Sequence, residues 1–471
     1  MPEQTASDLF AAFAAELRIE DVPSRILEKA KLHILDTLGC ALAGADSGFA
    51  RASLSALAGL DGGGGSVAIG QDRTLGLRDA VMFNAGIAHM LDFDDTHTTT
   101  LNHVSVCAAP LALALAARRD ATGSDMLAAY LIAAEVSCRV GLAAGGPAFL
   151  HRGVHPTGAL NGFGAALAAA RLMGLDRDRM VHAQGIALSF ASGSMEWQRD
   201  GAEAKRLHPG NAAVAGLTSA AYAAAGVTGP RLPYEGRAGI YRLFLGADAG
   251  IDKEALTADL GSRWAFADVS IKPFPLVHHV HGLIDSALGL VRDEGVKPEE
   301  IDRITALVAE PQIAILCEPA ADKRNPANGY QGIFSLYHTV ATAIARGRMT
   351  LEETGEDLLH DPVIAGLRQR IDYEIDPNSA YPRYYSGGLH LKLKDGRRIE
   401  RYVAHHPGSD RRPLAAQTIV EKFRDNARRI YADDRARTAV DAAMTLDTGT
   451  APSRLADLLG GPDQPAIPAP N

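Results

Sequence analysis

Five short stretches of the chain concentrate residue types able to move protons or hold anions. At 203–213, EAKRLHPGNAA sets Lys205, Arg206 and His208 directly ahead of a Pro-Gly step and an alanine-rich run. Pro209 suits a first helical position, where its missing N–H would be unpaired anyway. Cationic side chains and free helix-start N–H groups therefore converge, and both attract carboxylate or phosphate. Taken alone, the segment reads first as a basic loop capping a buried helix. At 92–103, DFDDTHTTTLNH gathers Asp92, Asp94, Asp95, His97 and His103, a set able to shuttle protons or bind a metal. Metal is the weaker option, because the spacings match no established ligand pattern. At 151–164, HRGVHPTGALNGFG places His155 just before a helix start, where the positive dipole end favours the neutral imidazole that a general base needs.

The other two stretches lie further on. IKPFPLVHHVH at 271–281 holds Lys272 beside a rigid Pro-x-Pro turn, suited to a carboxylate. It is followed by His278, His279 and His281, whose spacing cannot turn all three toward one metal. IFSLYH at 333–338 supplies Ser335, Tyr337 and His338 at the head of a helix. No Gly-x-Ser-x-Gly elbow, Walker loop or Rossmann fingerprint accompanies these residues. The inventory describes a cofactor-free site of His, Lys, Asp and Tyr that suits an anionic substrate. Lysine and arginine would hold carboxylates while a histidine takes a proton from the adjacent carbon.

Something must position these residues. The chain has 471 residues, 47% hydrophobic and 22% charged, which suggests a globular protein of two or three domains. A net charge of −9 argues against nucleic acid as a main partner. The longest apolar run, VCAAPLALALAA at 106–117, is too short to span a bilayer. Four widely spaced cysteines form no framework, and the acidic N-terminus does not resemble a signal peptide, so a reducing cytoplasm is the expected location. Helical periodicity predicts helices at about 22–45, 77–91, 104–118, 124–143, 157–173, 177–191 and 210–225. In the first of these Pro23 sits in the first turn and Gly44 ends the helix in a left-handed conformation.

Texture changes near 266. ADVSIKPF, IDRITALVAE, IDYEID, GLHLKLK and RRIERYVAHH have strand length and composition, with helices at about 276–294 and 332–346 among them. Asp395-Gly396 between two alternating runs predicts a type I′ hairpin. The fold class is therefore mainly α: a large all-helical domain from both termini, 1–265 plus 404–460, with a smaller α+β domain inserted at 266–403. The Pro/Gly-rich tail 461–471 reads as disordered, and DGGGGS at 61–66 as a flexible turn.

Together the motifs resemble the MmgE/PrpD family, which includes 2-methylcitrate dehydratases, cis-aconitate decarboxylases and iminodisuccinate epimerases. The resemblance is carried by LDTLGCALAGA at 35–45, HMLDFDDTH at 89–97, GVHPTGALNGFGAALAAARLMGL at 153–175, KRLHPGNAA at 205–213, KPFP…H at 272–281 and FSLYHTVATAI at 334–344. It implies a homodimer and a cofactor- and metal-free site at the junction of the two domains. Asp94, His103, His155, Lys205 and Lys272 would be site positions. His155 or His103 would transfer the proton, Lys205 and Lys272 would bind carboxylates, and Asp94 would orient a histidine or touch substrate. His97, His278 and Arg206 join as further substrate-side candidates, although Arg206 and His208 also suit a role bracing their loop. His338 and Tyr337 join as acid/base candidates. Three positions depart from the family pattern: Val104 where many members have proline, His278 where arginine is common, and Tyr337-His338 where a tyrosine associated with decarboxylation falls one place later. The tyrosine shift counts against a cis-aconitate-type decarboxylase, leaving a hydratase/dehydratase-type lyase on a di- or tricarboxylic acid such as 2-methylcitrate as the favoured reading, with an epimerase, which begins with the same α-proton abstraction, close behind. A catalytically silent anion-binding or scaffold protein is the alternative from another class.

Overall fold

Alanine and glycine carry little side-chain volume, and the helices of this chain use them to bring their axes together. The computed structural model describes residues 4–60 and 63–463. It is 59% helical and 8% strand, the mainly-α class that the sequence implies. Two units are present, Met1–Val269 with Ala415–Asn471, and Ser270–Leu414. Part of the DGGGGS stretch and residues 464–471 of the tail lie outside the described residues. Ser66, the last residue of that stretch, and Val67 form a short strand that pairs antiparallel with Thr74–Leu75. No helix among the described residues is long and apolar enough to cross a membrane.

In the first unit, helices run Ser24–Gly44, Leu77–His89, Ser105–Arg118, Gly123–Leu142, Pro156–Leu172, Arg177–Leu188 and His208–Ala224, within a few residues of the periodicity. Gly44 is an exception to the expected ending. It remains helical, Ala45 after it is also right-handed, and its missing side chain instead makes room for the Ile87 carbonyl. The buried Pro156–Leu172 helix packs between neighbours at equally close range. A methyl at Gly164 would fall on the Ala133 carbonyl, and one at Gly216 on Ala165. Interiors packed to this density do not absorb an added carbon freely. Gly164→Ala is therefore expected to destabilise the unit by about 1–3 kcal/mol, read as a lowered midpoint in urea unfolding with unchanged m-value.

The second unit holds a four-stranded sheet in the order Ile371–Ile375, Ile301–Val308, Gly387–Leu393, Arg398–Val403. The first pair is parallel and the others antiparallel. Ile304, Ala306, Val308, Leu389 and Leu391 turn one face inward with the helices His281–Glu294 and Leu336–Arg346 in a separate apolar core. Two details differ from the sequence expectation. ADVSIKPF yields only the short strand Val269–Ser270, after a 3-10 turn at Ala265–Asp268. The Asp395-Gly396 hairpin is not type I′, because only Gly396 has positive φ, 90°. Leu393 N–H donates to Arg397 O and Gly396 N–H to Leu393 O, so the loop is a three-residue turn ending in a left-handed glycine.

Candidate active site

Asp92, Asp94, His103, His155, Lys205 and His208 come from different elements of the first unit and meet. His89 closes the helix Leu77–His89, and the chain then turns sharply through Asp92, at φ 52°. The far end of the same loop has Leu101 at φ 55°. Non-glycine residues adopt this region at a cost, so the surroundings must hold the loop in place. Thr157 and Asn161, one helical turn apart on Pro156–Leu172, do much of that holding. Thr157 Oγ1 accepts from His103 N–H at 3.1 Å, and Asn161 Nδ2 donates to His103 O at 2.7 Å. Asn102 Nδ2 donates to Asn161 Oδ1 at 2.8 Å. The motif HPTGALNG thus supplies both an imidazole and the clamp on a second one.

Asp94 is the hub. Both its carboxylate oxygens lie 3.1 Å from His89 Nδ1, and Oδ2 lies 2.8 Å from His103 Nδ1. Burial opposes its charge, but the facing His89 and His103 hold its carboxyl well below the usual range, so Asp94 is ionised. His103 Nδ1 also lies 2.8 Å from Asp95 O. Two acceptors on one nitrogen require that Nδ1 carries the hydrogen, so in a neutral His103 ring the lone pair is on Nε2. The ring of His103 lies 4.7 Å from that of His89 and 6.1 Å from that of His155.

His155 is the N-cap of Pro156–Leu172, as its position before Pro156 implies. Its Nδ1 lies 2.9 Å from Nδ1 of His208, so one imidazole donates and the other accepts. Burial first, and then the neighbouring His89, Lys205 and His103, push the His155 pKa well below 6.5. Desolvation is thus the leading cause of its neutrality, a cause that the helix-dipole argument from sequence did not name. Burial also lowers His89 to about 4 and His208 to about 4.

Lys205 Nζ lies 2.8 Å from Asp92 Oδ2 and 5.2 Å from the Trp197 ring centre. It is buried in the 3-10 turn Glu203–Leu207, which runs directly into the helix His208–Ala224. Arg206 pairs with Glu203 and lies 5.5 Å from the Phe49 ring, contacts that brace its loop. His97 is fully buried, with Nδ1 3.0 Å from Thr100 Oγ1 and its N–H donated to Asn102 O, so it builds the loop from within.

Under the loop lies a second buried layer. Lys422, on the helix Ala416–Ala427, reaches Asp36 Oδ1 at 2.7 Å and Phe93 O at 2.8 Å. His33 Nδ1 lies 2.5 Å from Asp95 Oδ2, which also accepts from Ser105 Oγ.

In the second unit, Lys272 and His278 are both buried. Ser270 Oγ lies 3.3 Å from Nε2 of His278 and 3.3 Å from Nε2 of His406. The His278 ring is 4.7 Å from that of His281, while His279 turns away to stack on Tyr385 at 4.9 Å. Burial, followed by His281, His406 and Lys272, lowers the His278 pKa strongly. Tyr337 and His338 are engaged elsewhere. The Tyr337 hydroxyl donates to Cys317 O at 3.3 Å, with the Arg324 guanidinium 4.2 Å from its ring. His338 packs against Gly332, and its backbone N–H donates to Ser335 Oγ.

His89 was not singled out from sequence. Its signal was present, since it is a polar residue ending an apolar-periodic helix three positions before Asp92 of DFDD. A nitrogen from each of His89, His103 and His155 lies within 4.8 Å of the other two, and Asp92, Asp94 and His103 form a second such group. Spacing along the chain did not reveal the first group, because its members arrive from separate elements, whereas the second lies within the 92–103 stretch already singled out.

Residues 8–251 match the MmgE/PrpD N-terminal domain, and residues 274–448 match the MmgE/PrpD C-terminal domain. The chain belongs to the MmgE/PrpD family. Among similar proteins in that family, cis-aconitate decarboxylase of Aspergillus terreus is 27% identical, over 96% of this chain and 95% of its own length. Human cis-aconitate decarboxylase is 25% identical, over 98% and 96%. The mitochondrial 2-methylcitrate dehydratase of Yarrowia lipolytica is 24% identical over 32% of this chain and 30% of its own. MmgE/PrpD membership together with these relatives supports a lyase-type enzyme.

Proposed function

We propose that this protein is a lyase acting on a di- or tricarboxylic acid, moving a proton at the carbon next to a carboxylate with its own side chains. The observation that carries this reading is the Asp94–His103 pair. An ionised carboxylate fixes the hydrogen of His103 on Nδ1, leaving Nε2 as the base. His103 is also the most accessible of the three clustered imidazoles, at 8% against 1% for His89 and 3% for His155.

Lys205 is assigned the substrate carboxylate that neighbours the reacting carbon. Its pairing with Asp92 aims the ammonium, and a substrate carboxylate takes up the same charge. Lys272 is assigned a carboxylate contact in its own unit. In dehydration, His103 Nε2 takes the α-proton, the electron pair forms the double bond, and the β-hydroxyl leaves as water after protonation. In decarboxylation, the carboxylate leaves as CO₂, the electron pair stays on carbon, and an imidazolium delivers the proton that replaces it.

Dehydration of a 2-methylcitrate-like acid fits the displaced Tyr337. Decarboxylation of cis-aconitate is the second reading, favoured by relatives of that name along nearly the whole chain. Incubation with cis-aconitate, 2-methylcitrate, citrate and iminodisuccinate separates them. Released CO₂ with a five-carbon diacid identifies the decarboxylase, loss of water the dehydratase, and inversion without net loss the epimerase. Turnover of none of the four would contradict the assignment of substrate class and favour a non-catalytic anion binder.

A further inference from the structure

The hydrogen-bond pattern around the three clustered imidazoles resembles the outer layer of a metal site. His89 Nδ1 is held by both oxygens of Asp94, His103 Nδ1 by Asp94 and the Asp95 carbonyl, and His155 Nδ1 by His208. Metal-bound histidines characteristically donate their second nitrogen to a carboxylate, carbonyl or similar partner, which fixes ring orientation and raises ligand basicity. That arrangement leaves Nε2 of His89 and His103 with lone pairs. His89 Nε2 is buried and has no hydrogen-bond partner among the described residues. A buried ring nitrogen without a partner forfeits a hydrogen bond it had in water, and a ligand is one way to recover it.

We propose that His89, His103 and His155 form a binding site for one first-row divalent cation of the zinc class, and that its occupation inhibits the enzyme. Their ligand nitrogens lie within 4.8 Å of one another, so modest rotation of the rings closes them on a single ion. Three imidazoles favour Zn²⁺, Co²⁺, Ni²⁺ or Cu²⁺ over Mg²⁺ and Ca²⁺, which prefer oxygen ligands. The alternative set, Asp92, Asp94 and His103, is less free, because Asp92 holds Lys205 and Asp94 holds two histidines. Local charge permits a cation here: Lys205 is matched by Asp92, and Asp94 contributes a negative charge behind two of the ligands. Three protein ligands leave a fourth position for water or a substrate carboxylate. Inhibition follows because an ion on His103 Nε2 occupies the lone pair that takes the proton. That half of the proposal rests on the function proposed above, whereas binding of the ion does not.

The test titrates chelator-treated full-length protein with Zn²⁺ by calorimetry and with Co²⁺ by visible absorption. One ion per chain, a tetrahedral cobalt spectrum and no response to Mg²⁺ are expected. His89→Gln should weaken Zn²⁺ binding by at least about tenfold, and His155→Ala should do so independently, with circular dichroism confirming that each variant is folded. No stoichiometric binding, or equal affinity in wild type and both variants, would overturn the site. Zinc binding without loss of turnover would overturn the inhibitory role. Zinc binding by a protein that turns over none of the four acids would leave the site standing and count against the proposed function alone.

Discussion

Replacing His103 with glutamine is expected to lower turnover by about 10²–10⁴-fold, the usual worth of a positioned general base. Glutamine keeps a hydrogen-bonding side chain near Asp94 and the Asp95 carbonyl, so the loop can stay in place while the basic nitrogen is lost. The loss should therefore fall on kcat, with KM changing little, because Lys205 and Lys272 are untouched. Asp94→Asn should reproduce most of the effect without removing the imidazole. An amide beside His103 Nδ1 can offer its N–H in place of an acceptor, which weakens control over which ring nitrogen carries the hydrogen. Steady-state kinetics on the substrate identified from the four acids reads both variants. A His103→Gln enzyme with kcat within threefold of wild type would remove His103 from proton transfer.

The second large effect concerns stability. Lys422→Met is expected to cost about 3–5 kcal/mol, the scale for removing one member of a buried ion pair. Asp36 is completely buried, and its charge is matched by Lys422 at 2.7 Å. Burial disfavours the Lys422 ammonium, yet Asp36 and other nearby acidic groups outweigh it and raise its pKa, so the lysine is charged at neutral pH. Without that ammonium, Asp36 loses the cation that offsets its burial and its repulsion from Asp95 and Asp94. The double variant Asp36→Leu/Lys422→Met should recover most of the loss, since replacing both charges leaves none uncompensated. Urea unfolding of the three proteins checks this. A single variant within 1 kcal/mol of wild type would show that the pair does not support the fold. Because Lys422 also donates to Phe93 O, between Asp92 and Asp94, the same variant should blur the 92–103 loop.

Much of this site is readable from local sequence, and the reasons are specific. His155 sits ahead of Pro156, and Pro-initiated helices announce themselves, so its N-cap position follows from two adjacent residues. Lys205 before the Pro-Gly step is legible in the same way. What local sequence leaves out is contact between distant elements. Asp36 and Lys422 stand near opposite ends of the chain, and each alone looks like an ordinary polar position on an amphipathic helix. His89 is hidden for the same reason: only folding shows that it shares Asp94 with His103. Arg206 and His97 carry promising side chains, yet Glu203, Phe49, Thr100 and the loop's own backbone engage them. The hairpin shows a finer limit. Asp-Gly marks the turn correctly, but whether one or both residues adopt positive φ depends on the register of the flanking strands.

The central claim is that His103 Nε2 moves a proton at the carbon next to a substrate carboxylate. The direct measurement is deuterium incorporation at that carbon, followed by NMR in D₂O, for wild type and His103→Gln on the acid that turns over. The account predicts deuterium in the wild-type product or recovered substrate, and at least about a hundredfold slower incorporation in the variant. Conversion without deuterium at that carbon, or equal incorporation by both proteins, would contradict it.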